Sequence, residues 1–253
     1  MRAEAGQYTI IELDPTQITA PIAYPYGINR IENVWIKGNG ATISYAGNAG
    51  ESALRLDHHV ILEGIVFEDV EVAISMDTEG GPSSKKRTGI WIHHNHFESC
   101  ASTCIELGPS LGDETRHITI DHNIFGEDSM LSSVAGAIDA SNNCADADTA
   151  CKEREANLWL SVHHNLYEPS VQSSYLSGGA QSLFYNNWIK HARSHIVQLG
   201  TSGRTLARHN LYEAPMETSY NVYSSGAAGI DHGVSDIHRN VRYRTNYGSV
   251  PPN

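Results

Sequence analysis

The segment Ile90-Trp-Ile-His-His-Asn-His-Phe97 recurs along the chain with its apolar and polar positions in the same order. The clearest copies are Ile118-Thr-Ile-Asp-His-Asn-Ile-Phe125, Leu160-Ser-Val-His-His-Asn-Leu-Tyr167, Ser182-Leu-Phe-Tyr-Asn-Asn-Trp-Ile189 and Thr205-Leu-Ala-Arg-His-Asn-Leu-Tyr212. The asparagines at 165, 187 and 210 are 22 and 23 residues apart (187 − 165 and 210 − 187). The alternation within each copy predicts a strand. Strands recurring at this spacing predict an all-β parallel solenoid, in which each coil buries its apolar face against its neighbours.

Equivalent residues of successive coils are expected to form columns, because stacked strands lie ~4.8 Å apart. One column is a predicted internal amide ladder, and the histidine that precedes each asparagine gives a second column beside it. Four stacked histidines invite a metal or catalytic interpretation, but a column that runs down the whole solenoid is more often structural. His93 and His94 are expected on opposite sides of a strand, which makes a shared ion difficult. The ladder residues are Asn95, Asn123, Asn165, Asn187 and Asn210, and the histidines are His94, His122, His164 and His209.

A second strand register lies in the other half of each coil. Its predicted inward column is Ile74, Ile105, Ile138, Leu176 and Val197, and the following residues, Ser75, Glu106, Asp139, Ser177 and Gln198, are predicted to face solvent. This alignment places Glu106 and Asp139 one coil apart on the outside. The residue before the core column in each coil faces the same way, which brings Tyr175 to the same surface one coil further on. Long excursions at 77–89 and 126–152 flank these coils and are expected to wall a groove.

Composition limits the partners of this groove. Seventeen Lys and Arg against 29 Asp and Glu give a net charge of −12, which disfavours nucleic acid and anionic membrane surfaces. No apolar run approaches the ~18 residues of a membrane span, and the first residues show no apolar signal core. Cys144 and Cys151 close a short polar loop as a disulfide would, although the spacing alone leaves the bridge open.

The chain resembles the pectate lyase family of right-handed parallel β-helices. The resemblance runs from about residue 33 to about residue 215, and it rests on Ala73-Ile-Ser-Met-Asp77, Ile90-Trp-Ile-His-His94 and the stretch from His163-His-Asn-Leu-Tyr167 to Tyr185-Asn-Asn187. It implies a right-handed helix, of about eight coils on the repeat spacing, and a polysaccharide lyase that cleaves a uronate polymer by β-elimination with Ca²⁺.

The family's machinery is only partly present. Ser173, Tyr175 and Gly178 stand where the family has the arginines and proline that include its catalytic base, and His93 replaces its first calcium-binding aspartate. Elimination needs a neutralised carboxylate and a base within reach of the C5 proton. The candidate catalytic residues are Tyr175, Lys190, Arg193 and His195. The candidate calcium ligands are Glu106, Asp139 and Asp77, and the candidate substrate-binding residues are Ser173, Ser177, Gln198 and Trp188.

Two other functions stay open. Paired acids one coil apart, Glu106 and Asp139, suit a glycoside hydrolase, because like-charge repulsion separates an acid from a base or nucleophile. A groove with exposed aromatic residues also suits a non-catalytic carbohydrate-binding protein. In a third interpretation the two acidic side chains have no function and are simply hydrated at an acidic surface.

We expect a single domain over residues 1–253, with coils from about 33 to 243, an N-terminal cap at about 1–30 and a C-terminal tail at about 244–253. The segment Tyr8-Thr-Ile-Ile-Glu-Leu13 is expected to be a first strand or part of the cap. The expected partner is a polysaccharide, with no nucleic acid and no membrane, and the expected state is a monomer. Secretion is expected from the substrate class.

Overall fold

The computed structural model describes residues 9–15, 28–44, 52–76, 87–107, 115–126, 137–140, 149, 157–168, 173–178, 180–190, 195–199, 204–213, 222–224, 229–232, 237–238 and 243–245. For residues 28–30, 87–88, 115–116, 173–178, 195–199 and 222 onward, the description is of the backbone alone.

The chain forms an all-β parallel β-solenoid, as the repeat predicts. Three sheets run along it, and their strands pair in parallel over the described residues, in the order that the coil repeat requires. Sheet 1 consists of β1 (Thr9–Glu12), β3 (Val34–Lys37), β6 (Val60–Glu63), β9 (Arg87–His93), β12 (Thr115–Asp121), β15 (Trp159–His163), β18 (Gln181–Tyr185), β21 (Arg204–Arg208) and β24 (Gly229–His232). Sheet 2 consists of β4 (Thr42–Ser44), β7 (Val66–Glu68), β10 (His96–Phe97), β13 (Ile124–Phe125), β16 (Leu166–Tyr167), β19 (Trp188–Ile189), β22 (Leu211–Tyr212) and β25 (Ile237–His238). Sheet 3 consists of β2 (Ile28–Ile31), β5 (Ser52–Leu56), β8 (Val70–Ser75), β11 (Cys100–Glu106), β14 (Ile138–Asp139), β17 (Ser173–Gly178), β20 (His195–Leu199), β23 (Val222–Ser224) and β26 (Tyr243–Thr245).

The described part of the solenoid comprises about four turns. Each turn contributes one strand to each sheet in the order sheet 1, sheet 2, sheet 3. The repeated sequence frame therefore corresponds to a strand of sheet 1, a two-residue turn and the following strand of sheet 2. The expected first strand is also confirmed, since β1 pairs in parallel with β3.

Apolar side chains from all three sheets meet inside the coil. A stack of aromatic rings runs along the inner side of sheet 2, where the centroids of Phe67 and Phe97 are 5.1 Å apart, those of Phe97 and Phe125 are 4.9 Å apart and those of Phe125 and Tyr167 are 4.8 Å apart. These four side chains are 0% exposed. The spacing matches the distance between parallel strands, so ring stacking and strand pairing reinforce the same register.

The predicted amide ladder is confirmed at the turn between sheets 1 and 2. From Asn123 onward, each side-chain oxygen accepts from the backbone N–H and the Nδ2 of the asparagine one coil earlier, as Asn123 Oδ1 does from Asn95 at 2.9 and 3.2 Å. The oxygen of Asn95 accepts from the backbone N–H of Ile65. Each Nδ2 also donates to a strand carbonyl of the preceding coil, as Asn165 does to Ile120 at 2.9 Å. The five side chains are at most 2% exposed. Their buried polar atoms are thus hydrogen-bonded, which removes the large cost of burying an amide.

The histidine column beside the ladder is confirmed as a stack. The rings of His94 and His122 lie 5.0 Å apart and those of His122 and His164 lie 4.8 Å apart, nearly parallel in both cases. All three residues have φ between 53° and 55°, and His209 has φ of 56°. This left-handed conformation is uncommon outside glycine, and here it turns the chain from sheet 1 into sheet 2.

Candidate functional site

The predicted carboxylate pair lies in sheet 3. Strands β11 and β14 pair with Ile105 opposite Ile138 and Glu106 opposite Asp139. Both isoleucines are 0% exposed, whereas Glu106 and Asp139 are half-buried. Ser75 precedes this pair in the same register, opposite Glu106. The two carboxylates therefore occupy equivalent positions on adjacent strands, about one inter-strand spacing of ~4.8 Å apart at the backbone.

This face of sheet 3 is more covered than expected. Ser75, predicted to face solvent, is only 3% exposed, and Ala73, Cys104 and Ala137, predicted to face the same way, are 0% exposed. The prediction of a solvent-facing column is therefore wrong at these positions, because period-two alternation predicts the side of a strand and not what covers that side. The carboxylates consequently lie at a partly enclosed surface, where charge interactions are screened less than in open water.

The register slips by one residue after β14. Ile138 lies opposite Tyr175 and Asp139 opposite Leu176, so the predicted alignment of Leu176 with the isoleucine column is wrong. The next pairing keeps the slip, with Tyr175 opposite Val197. The backbone of Tyr175 thus occupies a position of the buried column and not of the outer one.

The alignment of Ser177 with Gln198 is also wrong. Gln198 lies opposite Leu176, and the pairing resumes with Gly178 opposite Leu199, so the irregularity in β17 falls at Ser177. At the start of the same pairing Ser173 lies opposite His195. These predicted substrate-binding and catalytic residues are therefore in sheet 3 with Glu106, but in a different register from the one expected.

Trp188 lies in another sheet, and Lys190 directly follows the strand that contains it. Trp188 is in β19 of sheet 2 and is 41% exposed, and the Lys190 ammonium lies 4.5 Å from the centre of its ring. Lys190 Nζ also contacts both carboxylate oxygens of Glu168 at 3.0 and 3.1 Å. A lysine held by an ion pair and a ring is already engaged, which makes it a poor base.

Asp77 and Arg193 lie outside the described residues, and so do Cys144 and Cys151. A different disulfide is present within β11, between Cys100 and Cys104, whose Cα atoms are 5.4 Å apart. It spans the point at which the register of β11 with β8 shifts. Regular strands place residues four apart too far from each other for a bridge, which is why the sequence pattern did not indicate it.

The outer side of sheet 1 carries a second group of polar residues near the histidine stack. Asp121 accepts from Trp91 Nε1 and lies 2.8 Å from His122 Nδ1, and His93 Nε2 lies 3.0 Å from Glu63 Oε2. His93 Nδ1 is 2.8 Å from His94 Nδ1. The expectation that these neighbours point to opposite sides is therefore wrong, because His94 has left the strand for the left-handed turn.

Burial lowers the pKa of His93 and of His163. Desolvation is the largest cause in both residues. The carboxylates of Glu63 and Asp121 oppose this effect at His93, and Asp121 opposes it at His163, whereas the neighbouring histidines add to it. Both rings are thus favoured in the neutral form, and they lie against aromatic neighbours, His93 on Trp91 and His163 on Tyr185.

One group of three metal-ligating side chains comes together within the described ranges, and it is not in sheet 1. Ligand atoms of Glu32, Asp57 and His58 lie within 4.8 Å of one another at the turn from sheet 3 to sheet 1. His58 Nε2 is 3.4 Å from Glu32 Oε2, and His58 Nδ1 is 3.5 Å from Asp57 Oδ1. Sequence reasoning missed this trio, because its members belong to two coils and neither coil copies the repeated frame well.

No protein-family model, curated protein or solved structure matches the chain. Over the ranges that the structure describes, there is no helix with the length and hydropathy to cross a membrane.

Proposed function

We propose that the chain is a polysaccharide-cleaving enzyme, a lyase that acts by β-elimination on a uronate polymer at the outer face of sheet 3. The observation that carries the proposal is the registered pair of Glu106 and Asp139 on adjacent strands, half-buried beside a fully buried isoleucine column. We further propose that the solenoid is a right-handed helix of about eight coils and that the protein is secreted and acts as a monomer.

The carboxylate pair fits a hard divalent cation. Carboxylate oxygens are the ligands that Ca²⁺ prefers, and adjacent parallel strands present two of them on one side. Glu106 and Asp139 would hold the ion, and Asp77 follows the strand that precedes them, with Ser75 in register with Glu106. Bound there, Ca²⁺ would neutralise the uronate carboxylate and so acidify the adjacent C5 proton.

The remaining chemistry needs one base. In elimination, the base takes the C5 proton, the electron pair forms the C4–C5 double bond, and the C4–O bond breaks as the departing oxygen gains a proton. His195 is our preferred base, since β20 belongs to sheet 3 and a neutral imidazole suits the task at neutral pH. Arg193, two residues before His195 in the sequence, is the candidate cation for neutralising the substrate carboxylate. Tyr175 follows in preference, because a phenol is a weaker base than an imidazole, and Lys190 follows because it is paired with Glu168.

The test is a panel of uronate polymers, assayed with calcium and again with chelator. Both the ultraviolet absorbance of the unsaturated product and the number of new reducing ends are measured. We expect both signals to rise together in the wild type, and to fall by at least ~100-fold in Glu106→Gln and Asp139→Asn, on the scale of losing a charge-stabilising group. Glu98→Gln is the matched control, since Glu98 is exposed in the same coil but lies after sheet 2.

The other outcomes separate the alternative functions. New reducing ends without absorbance would contradict the lyase and indicate a hydrolase that uses the same carboxylate pair. Binding of a polymer with neither signal would indicate a carbohydrate-binding protein without catalysis. Full activity in both variants would remove the carboxylate pair from the mechanism.

A further inference from the structure

A groove of about 400 Å³ lies on the outer face of sheet 1, across β12, β15, β18 and β21. It is away from Glu106 and Asp139, which belong to sheet 3. The side chains that matter for its chemistry are Thr119, Trp159, Ser161, Gln181, Leu183 and Arg204.

Strand register fixes the relative positions of these side chains. Trp159, Gln181 and Arg204 are successive partners in one column, and Ser161, Leu183 and Leu206 are successive partners in the next. The two columns are two residues apart on each strand, so they project on the same side. An aromatic ring, an amide and a guanidinium therefore stand in line on a rigid sheet, one coil apart.

The floor of the groove exposes two large apolar side chains to solvent. Trp159 is 55% exposed and Leu183 is 46% exposed. A large apolar ring left in water beside hydrogen-bonding groups is typical of a site for an amphipathic ligand. A pyranose ring is such a ligand, since its C–H face stacks on an indole while its hydroxyl groups bond to amide and hydroxyl groups.

The charge of the groove points to an acidic ligand. The chain has a net charge of −12, but none of the described side chains that line the groove is acidic, and Arg204 is exposed there. Guanidinium groups bind carboxylates in a fixed two-pronged geometry. The groove is thus a local exception in an acidic protein.

The size of the groove argues against a protein partner. Four strands span roughly 14 Å, and two residues along a strand span roughly 7 Å, from standard sheet spacings. A stable protein interface needs about 800 Å² on each side. The area of the groove floor, roughly 14 Å by roughly 7 Å, is far smaller. A short stretch of a sugar chain fits.

We propose that this groove binds an acidic glycan, with Trp159 as the stacking platform and Arg204 as the carboxylate ligand. The site is separate from the cleft of the proposed function and does not depend on catalysis. If both proposals hold, the groove anchors the polymer while sheet 3 acts on another part of it.

The test measures binding of a size-defined oligogalacturonate, and of an uncharged oligoglucoside of the same length, by titration calorimetry at low and at high salt. We expect Trp159→Ala to weaken oligogalacturonate binding at this site at least tenfold and Trp159→Tyr to restore much of it. Arg204→Gln is expected to weaken oligogalacturonate binding at low salt and to leave oligoglucoside binding unchanged. Arg208→Gln is the matched control, because Arg208 is exposed on the same strand but outside the groove.

Each result decides between named alternatives. Unchanged affinity in both Trp159→Ala and Arg204→Gln would overturn the proposal, and equal loss in Arg204→Gln and Arg208→Gln would overturn the role of Arg204. A wild-type dimer in sedimentation that Trp159→Ala dissociates would assign the groove to self-association instead. The two proposals fail separately, since Glu106→Gln tests turnover and Trp159→Ala tests affinity. Trp159→Tyr and Arg204→Gln still decide the matter if Trp159→Ala does not fold.

Discussion

His163 shows how one residue couples the outer face of sheet 1 to pH. Its half-buried ring stacks on Tyr185 at 4.6 Å, and its Nδ1 lies 2.8 Å from His164 Nδ1. Desolvation lowers its pKa from the ordinary value of 6.5, and His122 and His164 lower it further against the opposing effect of Asp121. The unfolded chain therefore binds a proton at this residue more readily than the native chain does.

His93 and His163 contribute most to the free energy of unfolding above pH 6.5. We expect this contribution to fall as the pH drops from 6.5 towards the lowered pKa values of the two residues in the native state. His163→Phe keeps a ring beside Tyr185 but cannot titrate. Urea unfolding at several pH values should show a shallower decline in this variant. An equally steep decline would contradict the assignment, and His96→Phe, at a half-buried histidine of sheet 2, is the control.

At the scale of the element, the asparagine ladder sets the strength of the turn between sheets 1 and 2. Asn165 Oδ1 accepts from the N–H and the Nδ2 of Asn123, and its own Nδ2 bonds to Ile120 and Asn187. Removing this side chain would leave several buried polar groups without their partners. Each such group costs about 1–3 kcal/mol.

We expect Asn165→Ala to lower the free energy of unfolding by about 3 kcal/mol or more, from two or more unsatisfied groups at the cost given for buried hydrogen bonds. Chemical denaturation measures this change. Ser161→Ala, on the same coil at a half-exposed position, should change it by less than about 0.5 kcal/mol. Equal effects of the two substitutions would show that the ladder contributes no more than an ordinary surface residue.

Part of the fold and of the candidate site could be predicted from the sequence, because the sequence signals for that part are local and repeated. The strand frame, the ladder and the pairing of Glu106 with Asp139 each follow from alternation and from one recurring asparagine. The slip at Tyr175 could not be predicted in the same way. It depends on how the chain of β17 is accommodated between its neighbours, and alternation within one short strand fits two registers equally well.

Two other features depend on backbone conformation that composition does not reveal. The left-handed φ of His94 brings its ring to His93, and the irregular pairing of β11 accompanies the bridge between Cys100 and Cys104. Both break the period-two rule on which the sequence predictions depend. The groove on sheet 1 escaped notice for another reason: its residues occupy two equivalent positions of the repeated frame, but the residue type changes from coil to coil, so no recurring side chain marks them.

At the scale of the whole molecule, the carboxylates of sheet 3 predict a response to calcium. Two ionised carboxylates at registered positions repel each other, and an ion that binds only the folded state stabilises it by about 2.7 kcal/mol at a concentration 100 times its Kd. We expect the melting temperature to rise with calcium and to return with chelator. In Glu106→Gln the rise should disappear, because the ion loses one of its two carboxylate ligands.

The control for this experiment is Glu98→Gln, which should behave as the wild type. A rise that persists in Glu106→Gln would place the ion elsewhere, and Glu32, Asp57 and His58 are the first alternative. Asp57→Asn then tests that trio. No change in melting temperature for the wild type would remove calcium from sheet 3.

The amide ladder also gives the molecule a direction. Each of the five oxygens accepts from the coil before it, the first of them from the backbone N–H of Ile65, and Asn95, Asn123, Asn165 and Asn187 each donate to the oxygen of the coil after. Five small dipoles therefore point the same way along the axis. Two such columns meet with matched donors and acceptors only when the end of one approaches the beginning of the other. A coil inserted between two rungs would therefore keep the ladder continuous only in the orientation of its neighbours, with its amide oxygen towards the coil before it.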